Sequence, residues 1–261
     1  MTKGWRTRAW EITDWPDGQR YPDTMISRPM RSENGEVVDR EYLWEYRFRD
    51  DHDGTDALRY GAMYYDEAMG YAGPAEREMR IECFQAAELL YLHAAEHGHP
   101  YGWLDLGYVY YYDRCEGSYA YEVFGKPGEP VPSREERAFE CLHAAAEAGL
   151  AQACYKLGDV YKEGMGCEPD ASEAVRWYQR AAELAEHEDV QVWGSSALRL
   201  GVCFENGIGC EQSFATAERW YKIAQSALEI TVRHGNTWYK RSLADAKSGA
   251  RRMRQEIDGR Y

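Results

Sequence analysis

The 261-residue chain is short of the large aliphatic side chains that usually build a protein core. Leu, Ile, Val and Phe together number 39, about 15% of the residues, a share that with strong net charge ordinarily signals disorder. Cationic residues are scarce as well, 31 Lys and Arg against 45 Asp and Glu, for a net charge of −14. Affinity for nucleic acid and for anionic membrane surfaces both come from clustered Lys and Arg, so neither partner is expected. No run approaches the ~18 uninterrupted apolar residues of a membrane helix. The opening Met1-Thr2-Lys3-Gly4-Trp5-Arg6 lacks the apolar stretch of a signal peptide, and a cytoplasmic location is expected. Catalytic signatures are missing too. The seven cysteines include no Cys-x-x-Cys, there is no Gly-x-Ser-x-Gly elbow, and Gly164-x-Gly166 and Gly207-x-Gly209 lack the third glycine of a nucleotide loop. Neither enzymatic activity nor a cofactor is expected.

What is abundant offsets the aliphatic deficit. The chain has 21 Tyr, 9 Trp and 31 Ala. Aromatic rings bury large areas and Ala is the best helix former, so close-packed helices wedged by rings replace an aliphatic core, and disorder is excluded.

The sequence repeats. Four segments share Leu/Tyr-Gly-x-x-aromatic: Tyr60-Gly61-Ala62-Met63-Tyr64, Leu106-Gly107-Tyr108-Val109-Tyr110, Leu157-Gly158-Asp159-Val160-Tyr161 and Leu200-Gly201-Val202-Cys203-Phe204, with glycines 46, 51 and 43 residues apart. Each is followed by an Ala-rich segment, such as Leu92-His93-Ala94-Ala95-Glu96, His143-Ala144-Ala145-Ala146-Glu147 and Gln179-Arg180-Ala181-Ala182-Glu183. Glu163-Gly164-Met165-Gly166-Cys167 and Asn206-Gly207-Ile208-Gly209-Cys210 are near copies. A fixed period of this size means an array of structural units, here two antiparallel helices each. Gly-x-Gly stops the first helix through positive-φ residues. Ser133 with Glu136, Asp170 with Glu173, and Ser213 start the second helices as N-caps.

These residues resemble the Sel-one-like repeat family, a branch of the tetratricopeptide-like α-solenoids. Its pattern is roughly Ala-x-x-x-Leu-Gly-x-x-Tyr-x-x-Gly-x-Gly-Val, then Ala-x-x-Trp-x-x-x-Ala-Ala. Residues 151–185 match almost throughout, with Cys167 in place of Val. Residues 190–227 match well, 101–149 match apart from an insertion, and 55–98 match weakly, with Tyr60 for Leu and no Gly-x-Gly. The resemblance implies an all-α fold, a right-handed α-α superhelix of about four helix pairs. It also implies a scaffold or adaptor that binds another protein or peptide and has no activity of its own.

The expected organisation is an N-terminal aromatic-rich extension over residues 1–54, the array over 55–235 with an insertion at 117–133, and a capping helix within 236–261. For residues 1–54 two readings compete. Asn34-Gly35 is a hairpin signal, and Tyr42, Trp44, Tyr46 and Phe48 have strand period. A degenerate helix over 38–49 capping the first pair is slightly favoured, because an array must cover its terminal apolar face. Leu243, Ala246, Ala250, Met253 and Ile257 give residues 237–258 helical spacing.

In such arrays the first helix of each unit lines a concave groove. The family's geometry and the 3.6-residue period place offsets −6, −3, +1, +4 and +5 from the pattern glycine there. These are Thr55, Leu58, Ala62, Tyr65 and Asp66 in repeat one, and Tyr101, Leu104, Tyr108, Tyr111 and Tyr112 in repeat two. Repeat three contributes Gln152, Tyr155, Asp159, Lys162 and Glu163, and repeat four Ser195, Leu198, Val202, Glu205 and Asn206. Tyrosine is favoured in binding surfaces because it offers apolar area and a hydroxyl at low entropic cost. The expected partner-binding residues are Tyr65, Tyr101, Tyr108, Tyr111, Tyr112, Gln152, Tyr155, Asp159 and Lys162, facing an extended or helical segment. The alternative is that Tyr111 and Tyr112 pack under the 117–133 insertion or the N-terminal segment.

A competing function comes from His93-Ala94-Ala95-Glu96-His97, which fits the His-x-x-Glu-His pattern of inverted zincins and suggests a metal-binding protein or metal-dependent hydrolase. Yet Ala94-Ala95-Glu96 is the repeat's own Ala-Ala-Glu, so only the histidines are additional, and no metal site is assigned. Some secreted members of the resembled family look stapled by one disulfide per repeat. Here Cys154 lacks a thiol in its expected partner region, Ala144-Ala145-Ala146, and reduced, packed cysteines are expected, with Cys167 and Cys210 filling the Val position.

Overall fold

The computed structural model describes residues 51–116, 130–186 and 188–259, together with the backbone of 12–14, 20–22, 26–31 and 37–43. Of the segment 38–49 favoured as a helix, residues 38–43 lie in a strand, and 44–49 are outside the described residues. Strand β1, Ile12–Asp14, pairs antiparallel with β2, Arg20–Pro22, and β3, Ile26–Arg31, pairs with β4, Val37–Leu43. Branching at Cβ gives Val37 and Val38 a preference for extended backbone over helix, and the second hairpin lets β4 satisfy its amides against β3. Asn34-Gly35, and Trp44, Tyr46 and Phe48, lie outside the described residues.

Helices follow from residue 55 on. They are α1, Thr55–Gly70, α2, Arg77–Glu96, α3, Gly102–Tyr111, α4, Arg134–Glu147, α5, Ala151–Glu163, α6, Ala171–Ala185, α7, Val190–Asn206, α8, Phe214–Arg233, and α9, Lys240–Asp258. From residue 55 on, the described residues form the expected all-α array of helices. Two compact units divide between Cys141 and Leu142. In the first, α1 packs on α2, α2 on α3, and β3 runs beside α2. In the second, α5 packs on α6, α6 on α7, α7 on α8 and α8 on α9.

The helix ends form as their residues dictate. Ser133 Oγ accepts from the Glu136 amide at 3.1 Å while Glu136 Oε2 accepts from the Ser133 amide at 2.6 Å, a complete capping box. Asp170 Oδ1 accepts from the amides of Ser172 and Glu173, and Ser213 Oγ from that of Thr216. Gly164 and Gly207, at φ 69° and 67°, end α5 and α7 in the left-handed conformation.

The repeat glycines make room for rings. A methyl group at Gly158 would lie 2.5 Å from Tyr178 Cε1, and one at Gly201 2.7 Å from the Tyr221 ring. Tyr221 is also met from α9, where a methyl at Gly249 would lie 2.6 Å from Cζ. Gly61 stands in the same relation to Tyr91, at 2.7 Å. So in repeats one, three and four a ring of the second helix lies against the glycine of the first. Tyr178 and Tyr221 are buried beside Leu157, Leu200 and Leu228, which is how so few aliphatic residues suffice. The C-terminal helix forms as expected, burying Ala246, Ala250 and Met253. None of the seven cysteines is in a disulfide. Cys167 and Cys210 are half-buried rather than enclosed, because the connector they occupy runs along the surface.

Candidate functional site

The expected groove residues separate into two groups. In repeats three and four Asp159 and Glu205 are engaged within the array, while Lys162 and Glu163 are exposed. Asp159, expected on an open edge, is buried at 3% exposure. It accepts from the Tyr178 hydroxyl at 2.8 Å and from Arg199 Nε at 3.0 Å. The packing that seats the Tyr178 ring against Gly158 delivers its hydroxyl to the next residue of α5, so Asp159 faces inward and does not offer itself to a partner. Glu205 is held similarly, accepting from the Tyr221 hydroxyl and, at 3.0 Å on each oxygen, from Arg252 of α9. Burial works against the Glu205 carboxylate, but the bonds from Arg252 and Tyr221 outweigh it and hold the carboxyl below its ordinary range. Gln152 donates to Asp189 Oδ2 at 3.1 Å, tying α5 to the N-cap of α7. The half-buried Tyr155 ring lies 5.9 Å from the Arg199 guanidinium and 6.1 Å from the Tyr178 ring. Lys162 is exposed.

Repeats one and two differ. Tyr101, Asp105, Tyr108 and Tyr112 follow one another at spacings of four, three and four residues, so they share one face of α3. Tyr101 and Tyr112 are 42% and 44% exposed, where the other described large rings of the helix pairs are half-buried or buried, Tyr108 and Tyr111 among the half-buried ones. Their rings cluster, with centroids 5.7 Å apart for Tyr108 and Tyr112 and 5.0 Å for Tyr111 and Tyr112. Tyr65 of α1 packs edge-on against Phe84 at 5.3 Å. Burial raises its hydroxyl above the ordinary range, Arg114 opposes this, and Tyr112, Asp105 and Asp66 add to it. Leu104, expected beside them, is 1% exposed and turns into the core, since offset −3 faces α2 here. A pocket of about 340 Å³ continues the surface beyond Tyr112, lined by Met69, Phe84, Arg80, Arg114 and Glu116 among others. Arg114 lies 5.6 Å over the Phe84 ring and touches Met69 Sδ. Cover over Tyr111 and Tyr112 by residues 117–129 falls outside the described residues.

Asp105 has no counterpart among the expected site residues. Burial alone pushes its carboxyl up to about 6, and no cation offsets it. Its position, two residues before the pattern glycine, is occupied by Arg199 in repeat four. The sequence signal was the i, i+4 spacing from Tyr101 and the i, i+3 spacing to Tyr108.

The zincin-like residues do not converge. His93 is buried at 2% exposure, its ring stacked on that of His97 at a centroid distance of 3.9 Å, with Nε2 4.0 Å from Asp51 Oδ2. Burial first, then His97, lowers the His93 pKa to about 4 against the pull of Asp51. Asp51 meanwhile accepts from the amides of Asp56 and Ala57 and caps α1. Glu96 is exposed. Among the described residues no group of three His, Cys, Asp or Glu side chains is placed to hold a metal ion. No helix there is long and apolar enough to cross a membrane.

Comparison with known proteins bears on this array. Residues 123–150, 151–186 and 194–224 match the family model described as Sel1 repeat. The chain is 48% identical over 50 residues to chitin synthase regulatory factor 1 of Schizosaccharomyces pombe, covering 19% of this chain and 11% of that protein. It is 35% identical over 75 residues to the chitin synthase regulator SKT5 of Malassezia restricta, covering 29% and 5%. Among solved structures it is similar to a Sel1 repeat protein from Oxalobacter formigenes, with 22% identity, TM-score 0.47, and 68% of this chain and 60% of that one covered. A protective antigen of uropathogenic Escherichia coli displaying an SLR fold is similar at 20% identity and TM-score 0.49, over 80% of this chain and 39% of the other. The aligned parts are thus a small fraction of the curated relatives. The Gly158–Tyr178 and Gly201–Tyr221 notches and the left-handed ends of α5 and α7 fall within the matched segments, and in those segments the chain carries Sel1 repeats.

Proposed function

We propose that this protein is a non-catalytic scaffold that binds a segment of another protein along the tyrosine-rich face of its first two repeats, and that it works in the cytoplasm. The observation that carries this reading is the pair of Tyr101 and Tyr112, each more than two-fifths exposed on a face otherwise built of packed rings. Rings that a monomer does not need to bury are favoured as anchors for a partner. The Sel1 repeats support a scaffold, and the two curated relatives are named as regulators of another protein. Seven cysteines outside any disulfide, four of them buried, suit a reducing compartment.

Within this reading Tyr65, Tyr101, Tyr108, Tyr111 and Tyr112 remain partner-binding residues, with Tyr155 and Lys162 as candidate contacts in repeat three. Asp159 and Gln152 hold the array together instead. The test is affinity co-purification from native extract with wild type and with the Tyr108→Ala/Tyr112→Ala double variant. A protein recovered only with wild type, while the variant keeps its helical circular dichroism, is the expected result. The same partner recovered with both would refute the reading.

A further inference from the structure

The inference deepens the scaffold reading and rests on it. At the junction of repeats three and four, the side chain two residues before the glycine, Arg199, reaches back to the side chain one residue after the preceding glycine, Asp159, at 3.0 Å. The array therefore satisfies a charge at this position from the adjacent repeat. At the junction of repeats one and two the corresponding residues are Asp105 and Ala62. Ala62 can supply nothing. Asp105 has no hydrogen bond or ion pair to a described residue; it shares a face of α3 with Tyr101, Tyr108 and Tyr112, and its charge acts on the hydroxyls of Tyr65 and Tyr91. Asp66 is near Tyr65 and Tyr91 as well, so the nearest other ionisable group of α1 is also an anion. Arg114, the one neighbouring cation at Tyr65, is turned onto Met69 and Phe84.

A half-buried carboxylate without a counterion costs stability, and such a charge on a face that also carries tyrosine rings is complementary to one class of ligand. Ammonium and guanidinium groups pair with the carboxylate and are attracted to the faces of the tyrosine rings. We infer that Asp105 is the anion of a cation-binding cage formed with Tyr65, Tyr101, Tyr108 and Tyr112, and that the partner segment enters it with a lysine or arginine side chain.

The probe is a random peptide library displayed on phage and selected on the full chain. Peptides are kept when their binding is lost on the Tyr108→Ala/Tyr112→Ala variant. Their affinities are then measured by titration against wild type, Asp105→Asn, and Asp245→Asn, which removes the same net charge from the exposed surface of α9. The expected result is a lysine or arginine at a fixed position in the selected peptides. Affinity should fall about tenfold or more on Asp105→Asn, with no change on Asp245→Asn. Replacing that lysine or arginine by glutamine should cause the same loss on wild type and no further loss on Asp105→Asn. Tyrosine-dependent peptides that bind Asp105→Asn as well as wild type overturn the cation cage and leave the groove reading standing. The absence of any tyrosine-dependent peptide overturns both. Circular dichroism of each variant confirms that the fold is retained.

Discussion

Replacing Asp105 by Asn should make the protein more stable at neutral pH, although it removes a helical surface charge. Burial holds the carboxyl at about 6 against an ordinary value of 3.8. Once the group is ionised in both folded and unfolded chains, that difference corresponds to about 3 kcal/mol of lost stability. The side chain is half-buried rather than enclosed, so solvent screens part of this and about 1–2 kcal/mol is the expected cost. Opposing it, Asp105 lies in the first turn of α3, where a negative charge gains about 0.5 kcal/mol from the helix dipole. Desolvation wins, and the amide should gain about 1 kcal/mol, or roughly 2–4 °C in melting temperature. The pH dependence follows from the direction of the perturbation. With its pKa raised in the folded state, Asp105 costs nothing when protonated below about pH 4 in both states, and its cost is complete only above about pH 6. Thermal melts followed by circular dichroism at pH 7.5 and pH 4 should show a gain for Asp105→Asn at the higher pH that disappears at the lower. A variant less stable than wild type at pH 7.5, or a gain independent of pH, would refute the reasoning, because either would mean the carboxylate is stabilised by its surroundings.

Two further outcomes are expected. Gly158→Ala places its methyl 2.5 Å from Tyr178 Cε1, so it should destabilise the second unit by about 1–3 kcal/mol through overpacking, measurable as a lower urea midpoint; an unchanged midpoint would show that the ring moves aside freely. Protein purified without an affinity tag should contain no stoichiometric metal by elemental analysis, because His93 stacks on His97 and faces Asp51 rather than a shared ligand position. One equivalent of zinc lost on His93→Ala would reverse that conclusion.

Much of the fold was legible because repeats encode packing locally. The 43-residue copy of Leu157-Gly158 as Leu200-Gly201, with Tyr178 copied as Tyr221, defines a notch and the ring that fills it. Ser133 with Glu136 and the Gly-x-Gly connectors specify helix ends through bonds spanning only a few residues. The N-terminal strands were less legible, since the strand period of Tyr42, Trp44, Tyr46 and Phe48 competed with the array's need for a cap over residues 38–49, and for residues 38–43 the pairing of Val37–Leu43 with Ile26–Arg31 decided the matter. At the site, helical period placed Tyr101, Tyr108 and Tyr112 on one face of α3. The same period placed Asp159 on a groove edge, yet it is buried. Its environment is set by a ring 19 residues away and a guanidinium 40 residues away.

The sequence by itself determined the repeat, the helix pairs, their caps and the register of rings against glycines, because these are short-range steric and hydrogen-bonding relations. Only the tertiary structure decided which charges are satisfied. Asp159 meets Arg199 across a repeat junction, while at the junction of repeats one and two the corresponding positions hold Ala62 and Asp105, and Asp105 has no ion pair to a described residue. Whether a carboxylate is a structural tie or an open acceptor depends on the side chain that the neighbouring helix brings to it, and on how much water the packing leaves there.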